Sequence, residues 1–405
     1  MKTELTPDIK NTADGKLADS ILRNCVHCGF CNATCPTYQT LGDENDGPRG
    51  RIYLIKQVLE GKPVDETTRT HLDRCLSCRN CETTCPSGVK YTQLLDIGKK
   101  LVEQKTGQTS PRSFKERALR TALLNVLPYR KRFTFLFKSG QIVKPFLPKK
   151  LRQKMPRAVS KGTWPLLEHK RRMLILDGCV QPALSPDINT VTARVLHKLG
   201  ISLIRQKKAG CCGAVSQHLS AEEAALVFMK NNIDAWWADI ESGVEAIVTT
   251  ASGCGLMVKE YEHYLRNDPE YAEKAKRISA LCKDISEIIA KEDYKKLAPK
   301  DNTNISWHPP CTLQHGQKIK GVVENILEGC GYDLTPIADA HLCCGSAGTY
   351  SILQPIISKK LQINKITNLV ANDPKMIVTA NIGCQTHLQE ASNIPVIHWI
   401  HLLDR

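Results

Sequence analysis

Beyond residue 172 the apolar residues come in short runs separated by stretches of helical period. MLILD precedes a helix from near Asp187 to Lys198, ISLI precedes a longer helix from Ser220, and EAIVTT closes the series. Short apolar runs alternating with helices predict βαβαβ, and hence a parallel sheet. The pattern then recurs: NISWH, DLTPI and KMIVTA take the strand positions, with VVENILEG and the stretch after Tyr350 as helices. Before residue 173 the period differs. From Phe114 the apolar Ala118, Leu119, Ala122, Leu123, Val126 and Leu127 follow at helical spacing while Lys115, Arg117 and Arg120 fall mostly outside the stripe, which predicts an amphipathic basic helix. Pro128, Pro145, Pro148, Pro156 and Pro165 divide the chain beyond this helix into short pieces, FTFLF and IVKPFLP among them, so residues 111–172 read as a connector between domains.

With 405 residues, 41% of them hydrophobic, the chain can bury a sizeable core and is expected to split into two or three domains. The net charge of +15 is concentrated. Residues 111–172 hold 18 Lys/Arg against only Glu116 and Glu168, a local net of +16, together with five of the seven phenylalanines. Anionic lipid, an acidic partner subunit or nucleic acid could each meet such a segment. Nothing else in the chain supports nucleic acid, and the apolar residues clustered between the charges favour lipid or protein. The competing reading is a linker whose apolar face packs on its flanking domains while its lysines are solvated. No apolar run approaches the roughly 18 residues that span a bilayer, so a membrane would be met from the surface. The polar start, MKTELTPDIKNTADGK, lacks the apolar stretch of a secretory signal, and the expectation is a reducing cytosol with thiolates free for metal.

Eighteen cysteines change the picture most. Eight lie in two copies of C-x2-C-x2-C-x3-C-P: Cys25, Cys28, Cys31 and Cys35 before Pro36, and Cys75, Cys78, Cys81 and Cys85 before Pro86. This is the spacing of two-cluster bacterial ferredoxins, in which three thiolates wrap one corner of a cubane and the fourth reaches the other cluster. The expected sets are crossed, Cys25, Cys28, Cys31 and Cys85 for the first [4Fe-4S] cluster and Cys75, Cys78, Cys81 and Cys35 for the second. Structural zinc is the competing metal, but two runs of four close cysteines, each with a trailing proline, fit it poorly.

The later cysteines are duplicated. Cys179, the pair Cys211 and Cys212, and Cys254 recur as Cys311, the pair Cys343 and Cys344, and Cys384, at offsets of 132, 132 and 130 residues. AGCCGAVSQH answers HLCCGSAGTY, and VTTASGCG answers VTANIGCQ, which marks a repeated unit. All these cysteines fall just past the carboxyl ends of predicted strands, where open α/β sheets hold ligands. Adjacent thiols on an irregular loop diverge and can reach two metals of one cluster, while the glycine after them admits close backbone approach. A vicinal disulfide is strained and leaves the matched lone cysteines unexplained. Inert packing has no reason to repeat four thiols. Cys282 and Cys330 have no thiol counterparts and read as structural. His27, His218, His308, His341 and His387 could hydrogen-bond a cluster, and none is assigned as a ligand.

CVHCGFCNATCPTY, LGDENDGPRGRIYLIKQVLEG, CLSCRNCETTCPSG and the two CCG loops make the chain resemble, over its full length, the iron-sulfur subunits of bacterial glycolate oxidases (glycolate dehydrogenases). The resemblance implies a mainly helical two-[4Fe-4S] ferredoxin-type domain over residues 1–110, the connector over 111–172, and two duplicated α/β CCG domains with parallel sheets over 173–300 and 301–405, an α+β arrangement followed by α/β. It further implies an electron-transfer subunit that takes electrons from FAD-binding subunits oxidising glycolate to glyoxylate and passes them towards membrane quinone at the cytoplasmic face, with no nucleic acid involved. No flavin-type G-x-G-x-x-G follows a strand here, and GPRG (47–50) reads as a turn before a helix starting near Arg51. The CCG domains also look like those of heterodisulfide reductase and anaerobic glycerol-3-phosphate dehydrogenase, which keeps a catalytic disulfide or quinone reductase as the alternative. The fullest CCG motif ends in C-x2-C, and the first of those positions is Ala251 in one copy and Asn381 in the other. Each copy therefore offers four thiols to a possible further iron-sulfur centre.

Overall fold

The computed structural model describes residues 1–146, 159–297 and 303–404; the middle of the connector, including Pro148, Pro156 and the end of IVKPFLP, lies outside them. The chain divides into two units, residues 1–121 with 341–365, and residues 122–340 with 366–405.

The first unit is mainly helical. Helices Ala13–Asn24, Pro48–Leu59, Glu66–Asp73 and Tyr91–Thr109 enclose a core in which Leu22, Ile55, Leu59, Leu72, Leu94 and Leu95 are fully buried. Each such side chain contributes about 1.5–3 kcal/mol by leaving water. Helix Tyr91–Thr109 packs on Pro48–Leu59 through Gly98, where a Cβ would stand 2.6 Å from the Ile55 side chain. Helix Pro48–Leu59 starts earlier than the sequence suggests, because Pro48 occupies the first helical position, where its missing N–H costs nothing. The basic helix runs over Phe114–Val126. Basic residues at and before its start are not all solvated: Arg112, just ahead of the helix, pairs with Asp73 at 2.6 Å and Glu103 at 2.7 Å, and Arg120 within it reaches Asp73 at 3.0 Å.

The second unit holds two four-stranded sheets, all parallel. Strands β1 (Arg171–Ile175), β2 (Ile201–Arg205), β3 (Ile247–Thr249) and β4 (Cys282–Asp284) lie in the order β2-β1-β3-β4. Strands β5 (Asn304–His308), β6 (Asp333–Leu334), β7 (Met376–Thr379) and β8 (Val396–His398) repeat it as β6-β5-β7-β8. The duplication is therefore one of topology as well as text. The βαβαβ reading lacks the fourth strand of each copy, a three-residue piece set by its pairing with β3 or β7.

The copies share one core, in which Ile175, Ile188 and Val195 of the first meet Trp307, Val378 and Trp399 of the second. The tails cross over. The segment after β4, Ile285–Ile289, packs on helix Val322–Gly329 of the second copy, and the segment after β8, Trp399–Leu403, packs on helix Asp187–Lys198 of the first. Arg194 pairs with Asp404, and His401 meets Asp187 at 2.6 Å, fixing that exchange. Within the connector, FTFLF is not a separate piece: it lies inside one helix, Arg130–Val143, since no proline interrupts the chain between Pro128 and Pro145. Among the described residues no helix is long and apolar enough to cross a membrane.

Candidate metal centres

In the first unit each four-cysteine loop turns through a left-handed residue, Gly29 at φ 89° and Arg79 at φ 60°, into a short helix, Phe30–Ala33 or Asn80–Thr84. A Cβ on Gly29 would stand 2.5 Å from the Arg49 guanidinium, so both φ and space call for glycine there. The third cysteine lies in the short helix, and the fourth, Cys35 or Cys85, follows in extended backbone at φ −84° or −73° before its proline. The two short helices pack together: the hydroxyls of Thr34 and Thr84 are 3.0 Å apart, and Asn80 Nδ2 donates to the Thr34 carbonyl at 3.0 Å. Each threonine immediately precedes a fourth cysteine, so this contact carries each fourth thiol over to the other loop.

Two groups of thiols result. Cys25, Cys28, Cys31 and Cys85 line one hollow, which Cys81 also borders, with apolar walls from Val26, Phe30, Ile52 and Val89. Burial, with charge on Cys25, Cys85 and Cys28, pushes the Cys31 thiol up to about 11. Burial and then Cys85 raise Cys25 as well. Around Cys81, burial acts first, then Cys78, Glu82, Cys75 and Cys35, and the thiol is held well above its usual range. Four thiolates so placed repel one another and need a multivalent cationic core to ionise together, which is the demand an iron-sulfur cluster meets.

The surroundings of the second group include residues that the sequence reading missed. Tyr91 donates its hydroxyl to Cys75 Sγ at 3.6 Å, and Ser77 N approaches the same sulfur at 3.4 Å. Cys35 Sγ lies 3.2 Å from Thr37 Oγ1. Beside them Arg51 is buried to 1% exposure, donating to the His71 carbonyl at 2.7 Å, to Thr37 at 3.1 Å and to the fully buried Asp46 at 3.4 Å. Arg74 and His71 complete the shell of Asp46 at 2.9 and 3.1 Å. No periodicity marks an Asp and an Arg flanking a Gly-Pro turn. Tyr350, on the segment 341–365 of this unit, donates to the Arg74 carbonyl at 3.1 Å. Burial raises its phenol, the Arg51 guanidinium works against that rise, and charge on Cys75 or Cys343 adds to it.

In the second unit the first CCG copy gathers Cys179, Cys211, Cys212 and Cys254 beyond the carboxyl edge of its sheet. The thiols act on one another's protonation in that order. Interaction with Cys211 and then Cys254 holds Cys212 well below the usual thiol range. Bonding to Cys179 and Cys212 holds Cys211 well above it, and Cys212, with burial, does the same to Cys254. Such a group gives up one proton readily and the others only to a cation. Gly213 sits at φ 95°, with its N–H 3.4 Å from Cys211 Sγ and a hypothetical Cβ 3.1 Å from the Ala225 carbonyl. Gly345 repeats this at φ 89°, with N–H 3.5 Å from Cys343 Sγ and a Cβ that would meet the Ser358 carbonyl at 2.7 Å.

The remaining cysteines of the second copy lie at matching places. Cys311 begins a π-helical turn, Thr312–Gly316, a form common at functional sites, and Cys384 lies in the first turn of helix Ile382–Ala391. Cys343 and Cys344 stand on the loop after β6 that belongs with the first unit. The positions where the fullest motif has another cysteine serve the backbone: Ala251 precedes helix Ser252–Lys259, and Asn381 caps helix Ile382–Ala391 by accepting from Gly383 N at 2.8 Å. Asn381 Nδ2 also donates to Ser252 Oγ at 3.1 Å, tying the copies together. Cys282 is fully buried in the core beside the first group, its Sγ 3.6 Å from the Gly255 carbonyl, and burial pushes it up to about 12. Cys330 points at the Tyr294 carbonyl at 3.8 Å.

Comparison with known proteins agrees with this layout. Residues 21–89 match the 4Fe-4S dicluster domain family, and residues 173–259 and 305–389 match the cysteine-rich CCG domain family. The glycolate oxidase iron-sulfur subunit of Escherichia coli (strain K12) is 54% identical over 406 residues, covering 100% of this chain and 99% of that one. The chain belongs to the glycolate oxidase iron-sulfur subunit family. A probable member from Bacillus subtilis (strain 168) is 31% identical, with 93% of this chain and 90% of that one covered. The family's dicluster domain carries 4Fe-4S clusters, which sets zinc aside for the first unit. A hypothetical protein from Helicobacter pylori, known from its crystal structure, shares the fold at a TM-score of 0.56 and 10% identity, covering 97% of this chain and 72% of its own.

Proposed function

We propose that this chain is the electron-transfer subunit of a glycolate dehydrogenase, accepting electrons from an FAD-binding partner that oxidises glycolate to glyoxylate and delivering them towards quinone at the cytoplasmic face of the membrane. Full-length kinship to a glycolate oxidase iron-sulfur subunit carries this reading. When bound, each [4Fe-4S] cluster supplies one-electron chemistry at a potential set by its surroundings.

The chain's own residues supply the rest. Cys25, Cys28, Cys31 and Cys85 would hold the first cluster, and Cys75, Cys78, Cys81 and Cys35 the second, an assignment supported by the two thiol groups and the Thr34–Thr84 contact. Val26, Phe30 and Ile52 give the first hollow its apolar walls, while the hydroxyl of Tyr91 and the amide of Ser77 point at Cys75 and favour a more negative sulfur. Cys179, Cys211, Cys212 and Cys254 would hold a further centre, as would Cys311, Cys343, Cys344 and Cys384. Tyr350, on the segment that carries Cys343, donates to the carbonyl of Arg74 next to Cys75, which supports a route out of the dicluster domain through the second CCG loop.

The test is glycolate-driven reduction of the anaerobically purified complex with its flavoprotein, followed by EPR and visible bleaching. Cluster signals should develop after flavin reduction and fade when a quinone analogue is added. Reduced flavin beside unchanged clusters would defeat the proposal.

A further inference from the structure

The helix Arg130–Val143 has two unlike faces. Phe133 and Phe137 stack on one another at 6.3 Å on its half-buried side. On the other side Phe135, Leu136, Ile142 and Val143 are 70%, 51%, 74% and 50% exposed. At 100° per residue these four fall within one arc, which Arg132 and Ser139 share, and Lys131 and Lys138 border it on one side. Residues 130–146 contain five basic residues and no acidic one. An outward apolar stripe with a cationic rim and no anion is the signature of a helix lying in a membrane interface, where lysine stems reach up to the headgroups.

The other side of the helix is fastened to the first CCG domain. Arg130 donates to Asp177 at 3.1 Å, Tyr129 meets Phe228 edge-on at 5.6 Å, and the helix packs on Gln181–Leu184, just past Cys179. Asp177 is also held by Asn189 at 3.0 Å and Arg205 at 3.2 Å, so the anchor is rigid.

We infer that the outward face of helix Arg130–Val143 docks the chain onto an anionic lipid surface and holds the first CCG thiol group close to it. The charge decides the occupant: an acid-free helix complements a negative leaflet, whose attraction adds to the burial of the four apolar side chains. This deepens the quinone-linked reading and rests on its claim that the chain works at a membrane.

Flotation of the full-length chain with vesicles of neutral phosphatidylcholine, and of the same lipid containing phosphatidylglycerol, tests the inference. The chain should float with the anionic vesicles at low salt and much less with neutral ones. Phe135→Asp with Ile142→Asp should weaken that binding at least about tenfold, and Lys131→Glu with Lys138→Glu should do so by a comparable factor. Both pairs are surface changes that leave iron content and helicity intact. Absence of flotation by the parent chain, equal flotation with neutral vesicles, or unaltered flotation of both variants overturns the inference. Loss of flavoprotein co-elution by variants of a parent that never floats also overturns it, assigning the face to protein. Glycolate-driven cluster reduction without membranes reports on the underlying function alone, so the two can fail separately.

Discussion

The N-terminal unit and the paired α/β sheets are both products of duplication, but they exchange different things between their copies. In the ferredoxin-type loops the exchanged part, on the proposed assignment, is a thiol: the contact of Thr34 with Thr84 brings together the two loops on which Cys35 and Cys85 would cross. In the CCG copies the exchanged part is a tail, with Ile285–Ile289 and Trp399–Leu403 each covering the other copy's helix while the first copy keeps Cys179, Cys211, Cys212 and Cys254 to itself. Crossing a ligand makes two sites depend on each other, whereas crossing a tail joins two domains and leaves the first site local.

The largest effect should come from breaking the ligand exchange. Cys35→Ser is expected to remove the same EPR signal as Cys81→Ser, and Cys85→Ser the same signal as Cys31→Ser, each with loss of about four of the eight irons in the dicluster domain. If Cys35→Ser and Cys31→Ser removed the same signal, the thiols would not be crossed. Cys212→Ala probes the local site instead. It should lower iron beyond the dicluster count and stop quinone reduction while glycolate still reduces the partner flavin; unchanged iron with normal turnover would make the CCG thiols docking structure only.

The contrast also explains what could be read from the sequence. Spacing alone exposed the eight loop cysteines and the 132-residue repeat, because a chelating loop and a duplicated gene both leave text. The parallel strands β1, β3, β5 and β7 are buried on both faces over most of their length, and the apolar residues they carry made them legible too. What remained hidden depends on distant partners. Strands β4 and β8 have only three residues each and are defined by pairing with β3 and β7. The shell of Asp46 draws on Arg51, His71 and Arg74 from separate elements, and the placement of residues 341–365 with the dicluster unit is a tertiary choice without a local cause.

That shell sharpens the comparison at the next level of magnitude. Arg51→Met leaves the buried Asp46 with fewer partners beside the second thiol group, and removing one member of a buried charge pair costs about 3–5 kcal/mol. A shift of the urea midpoint of that size is expected, whereas Arg49→Met, in a pair with Glu44 that is more than one-third exposed, should shift it by less than about 1 kcal/mol. Equal shifts would mean that Arg51 is held by the loop and not by its charge.

The smallest effect concerns the tail exchange and its dependence on pH. Asp284 ends β4 and caps Ile285–Ile289 by accepting from Ser286 N at 2.9 Å; His398 ends β8 and caps Trp399–Leu403 by accepting from Ile400 N at 3.2 Å. The same place in each copy thus holds a buried group of opposite charge type. Burial raises Asp284 from 3.8 to about 6, so its contribution to stability is full below about pH 4 and is lost as pH rises through about 6. Burial, with help from His401, lowers His398 from 6.5 to about 3, so its contribution is full above about pH 6.5 and is lost as pH falls towards 3. Between pH 4 and 6 the two slopes oppose and largely cancel in the parent chain. Asp284→Asn should therefore gain on the parent as pH rises through this window, by roughly 2 kcal/mol in all, and His398→Asn should gain on the parent as pH falls, by a similar amount. Urea midpoints of parent and variants at several pH values between 4 and 7 give these differences directly. Parallel curves for either variant would mean that its cap is wet in solution, and that the tail it anchors is less tightly exchanged than the packing of Ile285–Ile289 and Trp399–Leu403 implies.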